Sequence, residues 1–381
     1  PLQTIQIDNS YCVLGDWLDS NENWQDGMEH ALKMIRDAGY EPGVWVAPFM
    51  VNTRSKLYRD HPDWMLRRAD GSIYVEWERD AWDEGSVCIL DSSHPEAFEY
   101  LRTVFRTFRE WGVTYFKTDF MDWGLHDSGK VKRRMPGKTS VQYFMDVVKM
   151  IREEIGNDSF WLGCISPYPP MIGYVDAMRV SNDVGNSWSQ GSTGNMLQET
   201  FYCQYFNNVL WQNDPDVLYL RHCNTELNDD ETRSIALWDG FLGGVINTSD
   251  RFHTLRDHRL KLWRFLQPTE NLQTARFPFW SKQDQPLIAV RDYPAIKSKA
   301  ILVVNNSEET LDFDCPLKEL IGEKQAYCFE WNPGEAAPLG TISSLKKKLR
   351  PHASVLYYIN QHNQPPPPDM SINGERVKGL K

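Results

Sequence analysis

Long apolar runs are missing from this 381-residue chain, so no segment reads as a membrane-spanning helix. Positive charge is also short. Forty-one Lys and Arg face 52 Asp and Glu, and the net charge of −11 argues against nucleic acid or an anionic membrane as the main partner. The seven cysteines, at 12, 88, 164, 203, 223, 315 and 328, are odd in number and show no C-x-x-C spacing. They read as reduced thiols of a cytoplasmic protein, not as a disulfide framework or a zinc site. No H-x-H or H-E-x-x-H spacing offers a catalytic metal site, and no glycine-rich turn follows a strand to cradle a phosphate. No secretory leader is read in the residues given, which open on Pro1.

Aromatic residues are abundant: 15 Trp within a 13% aromatic content. Aromatic faces stack on the C–H faces of sugars, but a large core also takes up Trp, and that reading accounts for many of them. The first 265 or so residues alternate short apolar strands with amphipathic helices. Strands are predicted at 4–8, 43–47, 87–91, 113–119, 160–165, 177–181, 217–220 and 244–247. Helices are predicted at 24–38, 95–111, 140–154, 195–207, 229–241 and 254–266, the first two stopped by Gly39 and Gly112. A long polar insertion runs to about Gly85. This is the length and rhythm of a (β/α)8 TIM barrel, and without a phosphate turn a doubly wound sheet is the weaker rival.

Past residue 272 helical periodicity disappears, and short strands at 287–290, 300–304, 311–313, 325–331 and 354–359 alternate with turn residues. The expected organisation is an α/β chain with a catalytic barrel over 1–268, a small antiparallel β-sandwich over 269–360 and a disordered tail over 361–381. Four consecutive prolines, Pro365 to Pro368, mark that tail.

Barrel chemistry sits at the C-terminal ends of strands. Those ends carry Asp8-Asn9, Trp45, Asp91, Lys117-Thr118-Asp119, Cys164, and Arg179 with Asp183. Asp91-Ser92-Ser93 precedes a helix and reads as a cap. Lys117 and Asp119 are two apart, so a strand presents both on one face, where a cation favours the ionised carboxylate that attacks an anomeric carbon. The same spacing also suits a structural ion pair. Asp183 supplies a second carboxylate from another strand end, and glycoside hydrolysis requires such a pair: one attacks, the other protonates the leaving oxygen and then activates water.

Seven stretches occurring in order make the chain resemble the α-galactosidases of glycoside hydrolase family 36, in the clan shared with family 27. They are Ile7-Asp8-Asn9, Gly15-Asp16-Trp17, the Gly43 to Phe49 run, His61-Pro62-Asp63-Trp64, Tyr115 to Phe120, Cys164-Ile165-Ser166-Pro167, and Arg179 to Asp183. The resemblance implies Asp119 as nucleophile and Asp183 as general acid/base of a retaining mechanism. It implies Asp8 and Asn9 on the sugar 4- and 6-hydroxyls, Trp45 against the ring, and Lys117, Cys164 and Arg179 lining the same subsite. It implies no metal or organic cofactor and a small oligosaccharide or glycoside as substrate, with assembly into a homo-oligomer left open.

The chain departs from the family pattern in three ways. Asn9 stands where a second carboxylate is usual, and Ala47 and Phe49 replace acidic residues at the expected pocket edge. Family members carry an N-terminal β-sandwich, whereas these residues open inside the first strand. Rival readings are an α-N-acetylgalactosaminidase, a β-L-arabinopyranosidase or a galactosyl transferase of the same clan, and a catalytically silent sugar-binding protein.

Overall fold

A computed structural model of the chain describes residues 2–126, 129–188, 193–267, 274–278 and 285–380. The chain divides into two compact units, Leu2–Arg179 and Val180–Lys381. This division falls inside the segment expected as one barrel. The expected boundary at 268/269 lies outside the described residues.

In the first unit five parallel strands run side by side in chain order: β1 (Thr4–Ile7), β2 (Glu41–Val46), then Tyr115–Thr118, Phe160–Gly163 and Ala177–Arg179. Helix α1 (Gly27–Asp37) connects the first pair, burying Met28 and Leu32. Helix α2 (Pro95–Glu110) starts with proline in its first turn and His94 Nδ1 accepting the Glu96 N–H. Its fully buried Leu101, Phe105 and Phe108 each contribute roughly 1.5–3 kcal/mol. Helix α3 (Ser140–Ile155) opens on a reciprocal capping box between Thr139 and Gln142.

The polar insertion has structure of its own. β3 (Met50–Asn52), β4 (Val75–Trp77) and β5 (Val87–Ile89) form a separate antiparallel sheet in the order β3–β5–β4. The stretch at 87–91 is therefore not a parallel barrel strand, although its apolar run reads as one. The three remaining parallel strands are β6 (Tyr115–Thr118), β7 (Phe160–Gly163) and β8 (Ala177–Arg179). Asp91 is buried and accepts the Ser93 and Arg134 N–H groups, while the helix cap expected of it is supplied by His94.

In the second unit α4 (Thr193–Cys203) is followed by β9 (Gln212–Asp214), a strand too polar to be read from sequence. The predicted strands at 217–220 and 244–247 reduce to one parallel bridge between Val217 and Asn247. Helices α5 (Asp229–Leu242) and α6 (Asp257–Phe265) follow. β10 (Leu287–Tyr293), β11 (Ser298–Val304), β12 (Leu311–Pro316), β13 (Ala326–Asn332), β14 (Glu335–Ile342), β15 (Ser344–Leu349) and β16 (Ser354–Asn360) complete the unit.

Five of these strands pair antiparallel as β10–β11–β16–β13–β14, and β12 pairs with β15. Alternation then sorts the side chains. Ile288, Val290, Ile301, Val303, Val355 and Tyr357 face Phe313, Cys315, Leu345 and Leu349, giving the expected sandwich core. Leu287, Ala289, Leu302 and Leu356 belong to a second cluster with Leu237, Phe241, Leu262 and Phe265 of α5 and α6. That shared core explains why residues beyond Arg179 cluster with the C-terminal strands.

The tail is a correction. Its prolines suggest disorder, yet Met370, Ile372 and Leu380 are buried in the second unit's core. The Asn373 side chain accepts from the wholly buried Arg291 guanidinium at 2.6 Å and donates to Leu266 O at 2.7 Å. A buried cation stripped of such an acceptor is costly. Replacing Asn373 by Ala is expected to lower unfolding stability by about 2–3 kcal/mol in urea titration. An unchanged midpoint would show the tail to be dispensable.

Candidate functional site

Parallel register brings the predicted residues together. Ile7 pairs with Val44, Trp45 with Lys117, and Lys117 with Leu162. Continued by one residue, this sets Asp8, Trp45 and Lys117 in one row across β1, β2 and β6. Thr118 pairs with Gly163 and Gly163 with Met178, so the next residues, Asp119, Cys164 and Arg179, form a second row. Lys117 and Asp119 are two apart, so both rows share a face at the strands' C-terminal ends.

The rows are wired by short contacts. Trp45 Nε1 donates to Asp119 Oδ2 at 3.0 Å, and the Phe120 N–H donates to Asp119 Oδ1 at 2.8 Å. Both carboxylate oxygens are thus held, and Asp119 is only 8% exposed. The Cys164 thiol lies beside Asp119, and burial together with that carboxylate pushes it well above its ordinary pKa, against the pull of Arg179 and Lys117, so it remains protonated. Phe120 has φ 49°, a left-handed turn that swings the chain away directly after Asp119.

Lys117 does not pair primarily with Asp119. Its Nζ donates to Asp8 Oδ2 at 3.0 Å, across the intervening β2. Burial works to deprotonate Lys117, but Asp8, with smaller help from Cys164 and Asp119, overcomes this and raises its pKa. Burial likewise pushes the Asp8 carboxyl up. The Lys117 ammonium, the Asn9 N–H at 2.9 Å and Gln6 Nε2 at 2.6 Å outweigh it and hold Asp8 below the ordinary carboxylate range. Asn9 Oδ1 accepts the Ser10 N–H and so fixes the turn after β1.

The remaining expectations divide. Ala47 and Phe49 are both buried, and Phe49 stacks on Phe144 at 6.3 Å. Phe49 also lies against Gly124, where a Cβ would come within 2.4 Å of its ring. Asp183 belongs to the second unit, in an exposed stretch between Asn182 and the buried Val184. Among the described residues no group of three or more His, Cys, Asp or Glu is placed to hold a metal. No helix among them is long and apolar enough to cross a membrane.

An aromatic wall was not anticipated. Trp45 meets Trp17 and Trp82 edge-on at 5.9 and 6.1 Å, and Trp77 meets Trp82, Phe120 and Trp123 at 5.4, 5.3 and 5.2 Å. Trp82 stays 45% exposed. Its loop is held by buried Asp80, which accepts from Asn52 at 2.6 Å and from the Trp82 N–H at 2.9 Å. The signal was present as two tryptophans five apart in a polar insertion, with Gly85 at φ 99° closing the turn.

Residues 6–159 match the Melibiase family. An α-galactosidase of Geobacillus stearothermophilus, AgaA, is 30% identical over 107 residues, which are 28% of this chain and 14% of that protein. An α-galactosidase from Thermus thermophilus, solved with p-nitrophenyl α-D-galactopyranoside, superposes with a TM-score of 0.62 at 24% identity. That match covers 75% of this chain and 58% of the Thermus chain. A family-27 β-L-arabinopyranosidase from Geobacillus stearothermophilus gives 0.68 at 15% identity, over 94% of this chain and 88% of its own. The fold is thus a TIM barrel followed by a C-terminal antiparallel β domain, and over residues 6–159 the chain is similar to the Melibiase family.

Proposed function

We propose that the protein is a retaining α-glycosidase that hydrolyses terminal α-galactosides, with Asp119 as nucleophile and Asp183 as general acid/base. The observation that carries the reading is the Asp119 carboxylate, fixed through both oxygens at a strand end beside the Asp8–Lys117 ion pair. An Asp119 oxygen displaces the aglycone at the anomeric carbon while the Asp183 carboxyl passes its proton to the departing oxygen. Water, giving a proton to Asp183, then displaces Asp119, and two inversions restore the α configuration.

Asp8 and Asn9 are assigned to the 4- and 6-hydroxyls, Lys117, Cys164 and Arg179 to the rest of the ring, and Trp45 to its apolar face. The reaction draws on no metal or organic cofactor. The exposed Trp82 beside Trp45 supports a glycoside substrate, since such rings stack on sugars. The ordered motifs support family 36, the extent of the arabinopyranosidase match supports family 27, and the odd number of cysteines without C-x-x-C spacing supports a cytoplasmic setting. We assign the barrel to 1–268 and the sandwich to 269–360.

A second reading is favoured by Asn9 and by the arabinopyranosidase match. β-L-arabinopyranosides present the galactose ring without its hydroxymethyl group, so a weakened hydroxyl contact would cost them less. A panel of p-nitrophenyl α- and β-glycosides, followed by NMR, tests both. The α-galactoside should be cleaved fastest with the α-anomer released first, whereas initial β-galactose would refute retention. Asp119→Ala should lose at least about 10³-fold in kcat with an unchanged thermal midpoint. Asp8→Asn should raise KM about 10- to 100-fold, the worth of one charged hydrogen bond. Because Asp8 is held below the ordinary carboxylate range, that penalty should be constant from pH 8 to about pH 4 and shrink only in stronger acid. A penalty that faded near pH 6 would place the relevant charge elsewhere.

A further inference from the structure

The backbone on either side of Asp183 is gripped by two carboxylates that the proposed reaction does not use. Glu199, on α4, accepts the Asn182 N–H at 2.8 Å through one oxygen and the Asn182 side-chain amide at 2.9 Å through the other. Asp216, two residues past β9, accepts the Val184 N–H at 2.8 Å. The residue between these two amides is Asp183 itself.

Neighbouring ties reinforce the grip. Val180 N–H donates to Asp214 O at 3.0 Å, Ser181 Oγ donates to Pro215 O at 2.7 Å, and Gly185 N–H donates to Thr193 Oγ1 at 3.1 Å. Asp216 is itself held in a left-handed conformation at φ 79°, and Asp214 Oδ1 accepts its N–H at 3.0 Å. A non-glycine residue at positive φ costs free energy unless its surroundings impose it. Here the turn aims the Asp216 carboxylate at the Val184 amide. Trp188, at the far end of the stretch, stacks on His352 at 4.2 Å.

We propose that Glu199 and Asp216 are positioning residues for the general acid/base, acting through the N–H groups of its two neighbours, Asn182 and Val184; this rests on the role proposed for Asp183. A general acid works only within hydrogen-bond reach of the leaving oxygen, and a misplacement of about 1 Å costs on the order of 10²-fold. Charged acceptors on both flanking amides fix the Asp183 backbone while its side chain remains exposed.

The test uses leaving groups. An alkyl α-galactoside needs protonation of its departing oxygen; a dinitrophenyl α-galactoside does not. Glu199→Ala should reduce kcat/KM for the alkyl substrate about 10- to 100-fold, with less than about a threefold effect on the dinitrophenyl substrate. Glu199→Gln retains one acceptor oxygen and should fall between. Asp216→Gly, which tolerates the left-handed backbone and removes the acceptor, should show the same split as Glu199→Ala. Asp183→Ala is the reference and should show the largest split. If Asp183→Ala is split while the Glu199 and Asp216 variants slow both substrates equally or neither, the positioning role is overturned. If Asp183→Ala itself shows no split, the acid/base assignment fails and the positioning role falls with it.

Discussion

Parallel register is the constraint on which the first unit's site depends. Hydrogen bonds between neighbouring strands determine which residues stand level, and the pleat determines which face they share. Pairing Trp45 with Lys117, and Thr118 with Gly163, places Asp8, Trp45 and Lys117 in one row and Asp119, Cys164 and Arg179 in the next. A slip of one residue in β6 would turn Lys117 and Asp119 to the opposite face together. Helix α2, whose Phe105 packs on Phe116 of β6 at 6.2 Å, therefore bears on the chemistry although none of its side chains takes part.

Electrostatics within those rows follows from the same placement. A lysine buried at a strand end would be driven to lose its proton, but Asp8 lies within reach across β2 and reverses that tendency. Asp119, freed from a dominant ion pair with Lys117, is held instead by two neutral donors, an indole and a backbone amide. Neutral donors orient a carboxylate without neutralising it, which suits a group that must form a bond to carbon. The second unit treats Asp183 differently. There the backbone is clamped from both sides and the side chain is left at the surface.

Much of this was legible in the sequence, for physical reasons. Parallel strands buried on both faces give continuous apolar runs, and Val44 to Ala47 and Tyr115-Phe116 are such runs. The C-terminal strands β10, β11 and β16 are equally plain, since both their faces meet a core. What escaped notice was polar or locally ambiguous. β9 reads Gln-Asn-Asp, β14 is largely exposed and carries a Pro and a Gly, and β15 sets three consecutive lysines between Leu345 and Leu349. The run at 87–91 looks like its parallel neighbours because period and composition do not reveal strand direction. The buried tail was hidden by its prolines, and the Asp8–Lys117 pairing by a sequence separation of 109.

The central claim is that the Asp119 carboxylate, held by the Trp45 indole and the Phe120 amide, forms the bond to the sugar. It is tested most directly by trapping the enzyme with a fluorinated α-galactosyl donor whose turnover stalls after glycosylation, then mapping the adduct by peptide mass spectrometry. The account predicts one galactosyl adduct, on the peptide carrying Asp119. An adduct on another carboxylate, or steady hydrolysis of the donor with none formed, would contradict it.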